Sequence, residues 1–74
     1  MTGTKKEIIL AYVAAKREGI VPAYSVIRDV IGVKDNTIAF HVAGLHDKGY
    51  LDKLPNGKYE ASSKTLHEFG GEVP

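Results

Sequence analysis

The 74-residue sequence contains no cysteine, which excludes disulfide staples and thiolate metal sites. It has no apolar run near the roughly 18 residues a membrane-crossing helix requires, so no membrane partner is expected. An excess of one charge is also lacking. Ten Lys and Arg stand against nine Asp and Glu, a formal net charge of +1, and that balance by itself argues neither for nor against nucleic acid. Catalytic signatures are missing as well: there is no H-E-x-x-H, P-loop, G-x-S-x-G or dinucleotide fingerprint. Ser25, Ser62 and Ser63 have no base near them in sequence, and a core this small leaves no room for an enclosed pocket. Neither an enzyme, nor a cofactor, nor a small-molecule effector is expected. His41 and His46 lie about 140° apart on a helix, too divergent to share an ion, and His67 adds no ligand at a suitable spacing, so no metal is expected.

What is present is a hydrophobic content of 43%, ordinary for a globular chain and too high for disorder. One domain over residues 1–74 follows, with a core from about residue 4 to 61 and a C-terminal extension from 62. So short a chain is marginally stable alone, and oligomerisation is a natural remedy. Lys5 and Lys6 before "IILAYVAA" superficially suggest a secretory leader, but Lys16, Arg17 and Glu18 follow at once. That run is read as a folded helix, with an intracellular, cytoplasmic location as the default.

Thr4 and Glu7 fit a capping box, opening a first helix that runs to about Glu18 and stops at Gly19. Ile8, Ile9, Leu10, Tyr12 and Val13 supply its buried side. "IVPA", residues 20–23, is β-rich, and Pro22 limits it to an edge strand or the lead-in to a helix. Tyr24, Ile27 and Ile31 recur at helical spacing, and Gly32 closes that second helix. Asp35 suits the N-cap of a third helix over about 36–48. Ile38, Val42 and Leu45 form its inner stripe, with His41 at the edge donating to a backbone carbonyl, and Gly49 ends it. "YLDKL" and "KYEA" then read as a hairpin joined by "PNG". Asn56-Gly57 favours a type I′ turn, with Leu51 and Tyr59 inward and Lys53 and Lys58 outward. Residues 62–69 suit a short last helix, and "GGEVP" is expected to fray. The fold class is mainly α with a small β-hairpin.

Val21, Pro22, Ile27, Gly32, Val33, Thr37, Ile38, Val42, Leu45, Gly49, Tyr50 and Leu51 resemble the recurring pattern of winged helix-turn-helix domains. The likeness runs without a gap against GntR-type regulators, and the turn is one residue shorter than in LexA-type repressors. The resemblance implies three helices, a short strand and a β-wing. It further implies double-stranded DNA binding as a small transcriptional regulator or repressor, acting as a homodimer, with helix 3 in the major groove and the wing on the flanking backbone.

On that reading the positions turned from the inner stripe at 100° per residue meet the bases: Asn36, Ala39, Phe40 and Ala43, with Asp47 beside them and Thr37 at the margin. Asn pairs bidentately with adenine, and Ala or Phe contacts a thymine methyl. Lys5, Lys6, Arg28, Lys34, Lys48, Lys53 and Lys58 form the candidate phosphate footprint, and Asn56 and Gly57 the wing tip. Each has a plainer alternative. The lysines also serve as an ordinary solvated surface, Asn36 as a local helix-start donor, and Asn56 and Gly57 as turn formers only. Three roles are open for Phe40: a methyl contact, a protein partner, or packing beneath the wing or tail. None of the five outward positions is basic, where winged helices usually carry Arg or Lys. A different class of function fits this apolar face, a protein-interaction adaptor that uses it as an anchor. Leu66 and Phe69 are candidates for a dimer contact.

Overall fold

Ile8, Ile9, Tyr12 and Val13 fall on one side of a helix because they recur at steps of one, three and four. In the computed structural model, which describes residues 3–72, all four are buried and form the centre of the core. They belong to α1 (Gly3–Arg17). Around it stand α2 (Tyr24–Ile31), α3 (Asp35–Asp47), the strands β1 (Leu51–Lys53) and β2 (Tyr59–Ala61), and α4 (Ser63–Phe69), followed by a 3-10 turn at Gly70–Glu72. Ile27 from α2, Ile38, Val42 and Leu45 from α3, Leu51 and Ala61 from the hairpin complete one continuous cluster. The fold is mainly helical with one antiparallel hairpin, compatible with a winged helix-turn-helix arrangement.

The joint between α3 and the hairpin decides how the two are oriented. Gly49 sits at φ +85°, a left-handed conformation that side-chain-bearing residues rarely adopt. Its N–H donates to the His46 carbonyl at 3.0 Å, and the Tyr50 N–H donates to the Leu45 carbonyl at 2.9 Å. These paired bonds are a Schellman cap, and they reverse the chain into β1. The carbonyls of the same turn are then held from the far side of the sequence. The Ser62 hydroxyl donates to the Gly49 carbonyl at 2.8 Å. The Thr65 hydroxyl and the Ser62 N–H both donate to the Tyr50 carbonyl. Ser62 also caps α4 by accepting from the Thr65 N–H. Both side chains are buried, so this network is shielded from competing water.

Several local expectations differ from the structure. α1 already includes Gly3, so Thr4 stands within the helix and the capping box does not form at its start. Residues 20–23 are irregular rather than a strand; β1 and β2 pair only with each other, and an extended segment without a neighbour forms no ladder. The N-cap of α3 is Lys34. Asp35 is the first helical residue, and its carboxylate lies 3.4 Å from Arg28 instead of capping. The wing is not a two-residue type I′ hairpin, because no residue other than glycine has positive φ among the described residues. The Gly57 N–H donates to the Leu54 carbonyl at 2.9 Å, the Leu54 N–H to the Lys58 carbonyl at 2.7 Å, and Gly57 alone is left-handed at φ +85°. This is a type I turn with a glycine bulge. Pro55, whose ring fixes φ near −65°, suits its second position. Asn56 contributes by accepting from the Lys58 N–H at 2.9 Å.

The C-terminal segment is part of the core rather than an appendage. Thr65 is fully buried, and Leu66 and Phe69 pack half-buried against the central cluster, with the Phe69 ring edge-on to Tyr50 at 6.1 Å. Gly70–Glu72 is a regular 3-10 turn where fraying was expected; Val73 and Pro74, the rest of that stretch, lie outside the described residues. Replacing Thr65 by Val keeps the shape and removes the hydroxyl donated to Tyr50. Urea unfolding of Thr65→Val is expected to show a loss of about 1 kcal/mol, with Ser63→Ala on the exposed side of α4 as an unchanged control.

Candidate nucleic-acid interface

The inner stripe of α3 consists of Ile38, Val42 and Leu45, all buried. On the opposite side Asn36, Phe40, Ala43 and Asp47 are exposed and Thr37 is half-buried at the margin, as expected. Ala39, expected outward, is also half-buried, because it lies only about 100° from Ile38. Phe40 is 75% exposed. Of its three open roles, packing beneath the wing or tail is therefore ruled out. An exposed phenyl ring beside two alanines leaves an apolar surface that needs an external partner to be covered.

His41 fixes the inner edge of this ring. The two rings stand edge to face with centroids 5.6 Å apart. The expected hydrogen bond from His41 is absent: its buried Nδ1 has no partner among the described residues. The imidazole is oriented by packing against Phe40, not by a carbonyl. At the other end of α3, the His46 ring meets Tyr59 of β2 at 5.4 Å and so braces the helix against the wing.

The expected phosphate-contacting cations border this face without entering it. Lys34 and Lys48 are the residues immediately before and after α3, and both are exposed. Lys53 closes β1, Lys58 follows the wing turn, and both are exposed. Lys5 and Lys6 are half-buried in the first turns of α1. Arg28 is already engaged, with Asp35 at 3.4 Å and Asp29 at 3.7 Å. These exposed pairs contribute well under about 1 kcal/mol each, so they orient Arg28 more than they stabilise the fold. Lys16 is turned elsewhere: it pairs with Glu60 of β2 at 2.8 Å and ties the hairpin to α1. Asn56 and Gly57 form the exposed wing tip, where both serve the turn directly.

Two features were not legible in the sequence pattern. Ile20, Val26 and Val30 are 55%, 53% and 75% exposed and border a groove of about 440 Å³ whose floor includes Ala11 and Ala14 of α1. The helical spacing of Val26 and Val30 was visible, but their exposure depends on how α2 is rotated on α1. The second feature is a cleft that brings together Tyr12, Tyr24 and Tyr59. Among the described residues no group of His, Asp and Glu is placed to hold a metal ion, and no helix is long and apolar enough to cross a membrane. No protein-family model matches the chain, and no curated protein matches it either.

Because the outer face of α3 carries no packing, Phe40→Ala and Asn36→Ala are expected to leave stability within about 0.5 kcal/mol of wild type in urea unfolding. A loss of several kcal/mol from Phe40→Ala would show that the ring is covered.

Proposed function

We propose that this protein is a small winged-helix transcriptional regulator that binds double-stranded DNA in the cytoplasm. In this reading α3 enters the major groove and the hairpin lies on the flanking backbone. The observation that carries it is the unobstructed outer face of α3, bounded at both ends by Lys34 and Lys48. Asn36 is the hydrogen-bonding base reader, suited to adenine, while Phe40 and Ala43 offer apolar contact to thymine methyls. Lys53 and Lys58 of the wing supply phosphate contacts that set affinity without setting sequence.

A homodimer belongs to this reading. Leu66 and Phe69, the first candidates for a dimer contact, are already packed on their own core. The ridge of Val26 and Val30 beside the alanine-floored groove offers instead a surface that a two-fold copy meets with the same elements. Val30 is exposed, so Val30→Lys is expected to leave the monomer folded while light scattering falls from dimer to monomer mass.

The protein-interaction adaptor is kept as the second reading, favoured by one observation: Phe40, Ala39 and Ala43 form an apolar patch with no cation on it. A mobility-shift assay against the DNA flanking its own gene separates the two. DNA binding with about four phosphates neutralised per subunit gives a log–log salt slope near −7 for a dimer. Asn36→Ala is expected to relax sequence preference, and Lys53→Ala to weaken all sequences alike. Absence of any shift by wild-type protein at low salt would overturn the DNA reading and leave the adaptor.

A further inference from the structure

The wing turn and the lead-in to α2 enclose a half-open cleft of about 360 Å³ against α1. That volume falls within the range of small-molecule sites, about 300–1,000 Å³. Its lining is Tyr12, Pro22, Ala23, Tyr24, Gly57, Lys58 and Tyr59, so three of the four tyrosines in the chain meet there. They come from α1, α2 and β2, and no local pattern in the sequence unites them.

The chemistry of this lining is one-sided. Tyr12 is only 1% exposed, and its hydroxyl makes no hydrogen bond to any described residue. The hydroxyl is not sealed in, since His41 Nδ1 is the one fully buried side-chain polar atom without a partner among the described residues; what remains accessible of Tyr12 opens onto the cleft it lines. Burial, reinforced by the neighbouring Tyr24 and Tyr59, pushes the Tyr12 phenol well above its ordinary value, and burial raises Tyr24 also. Phenols are protonated at neutral pH even at their ordinary value of about 10, so both hydroxyls can donate. Lys58 adds a cation at the rim. The N-terminus of α2 opens at Ala23 with no side chain capping it, which places the positive end of a helix dipole at the same wall. No carboxylate lines the cleft. The complement of several donors, a cation and flat apolar walls is an acceptor-bearing anion with a flat apolar body.

We propose that this cleft is a binding site for a small, single-ring aromatic carboxylate. Its ring lies among Tyr24, Tyr59 and Pro22, and its carboxylate accepts from the Tyr12 hydroxyl and faces Lys58. The inference is independent of the DNA reading. It adds an effector site to a chain whose sequence suggested none. Occupancy would also link the wing to the body, since Lys58 and Tyr59 belong to the hairpin and residues 22–24 to the lead-in and start of α2.

The test uses the full chain without DNA, titrated with benzoate and, separately, with neutral benzamide while backbone amide resonances are followed by NMR. Saturable shifts from benzoate are expected at Ala23, Tyr24, Gly57, Lys58 and Tyr59, with Kd in about the millimolar range for so small a ligand. Benzamide is expected to bind about tenfold more weakly, since it lacks the charge. Lys58→Met, at an exposed turn position, should remove that difference and leave the spectrum folded. Tyr12→Phe should weaken benzoate about fivefold or more. Equal affinity for benzoate and benzamide, shifts centred on another part of the chain, or no saturation in a folded spectrum would each overturn the assignment.

Discussion

Three buried side chains on α3, Ile38, Val42 and Leu45, are what the presented face depends on. A chain of this size builds only one small core, and each helix can turn only one stripe toward it. For α3 that stripe is narrow, within about 60° of arc. The remainder of the helix is then committed to the outside whatever residues it carries. Asn36, Phe40 and Ala43 are exposed because the inner positions are occupied by better hydrophobic anchors, and because neither the hairpin nor α4 covers them. Phe40 is the informative case. A phenyl ring would ordinarily be drawn into a core, and here the helical phase holds it out.

The position of that face relative to the wing rests on a second constraint, the hydrogen-bonded turn at Gly49 and Tyr50. The glycine closes α3 from within, and Ser62 and Thr65 grip the two carbonyls from without. One network therefore fixes the end of α3, the start of β1 and the first turn of α4. The Lys16–Glu60 pair and the His46–Tyr59 contact add attachments of the hairpin to α1 and α3. Asp52 and Glu60 face each other across the strands, an unfavourable like-charge pairing, and Lys16 offsets it from the adjacent helix. The hairpin is thus attached on several sides and held rigidly against the helices.

The legibility of this architecture in the sequence follows the range of the interactions involved. The limits of α2 are legible, since the spacing of Tyr24, Ile27 and Ile31 and the stop at Gly32 are both local signals. The inner stripe of α3 was equally plain. Helix starts were less so. Thr4 and Asp35 have the chemistry of caps, yet capping depends on backbone geometry one residue to either side, and in α3 Arg28 draws Asp35 away. The wing turn departs from type I′ because Pro55, with its fixed φ, takes the second turn position and shifts the turn by one residue from Asn56-Gly57. Least legible were the contacts between distant segments. Ser62 and Thr65 reach carbonyls 13 and 15 residues away, and so a tail that looked peripheral is part of the core.

The tyrosine cleft shows the same rule acting on function. Tyr12 and Tyr59 each read as ordinary inward-facing aromatics, and taken singly that description holds: Tyr12 is buried and Tyr59 half-buried. Only their convergence with Tyr24 leaves a space lined by three phenols and a cation, with no carboxylate. A hydroxyl in a core is usually tolerated because something accepts from it. Among the described residues nothing accepts from Tyr12, and its hydroxyl is left open to the cleft rather than sealed in the core. An acceptor that enters the cleft from outside can therefore reach this hydroxyl. Because Lys58 belongs both to that cleft and to the wing, a bound anion at the rim would compete with a phosphate for the same cation. Ligand and duplex would then oppose each other at this one side chain, even with no change in the shape of the fold.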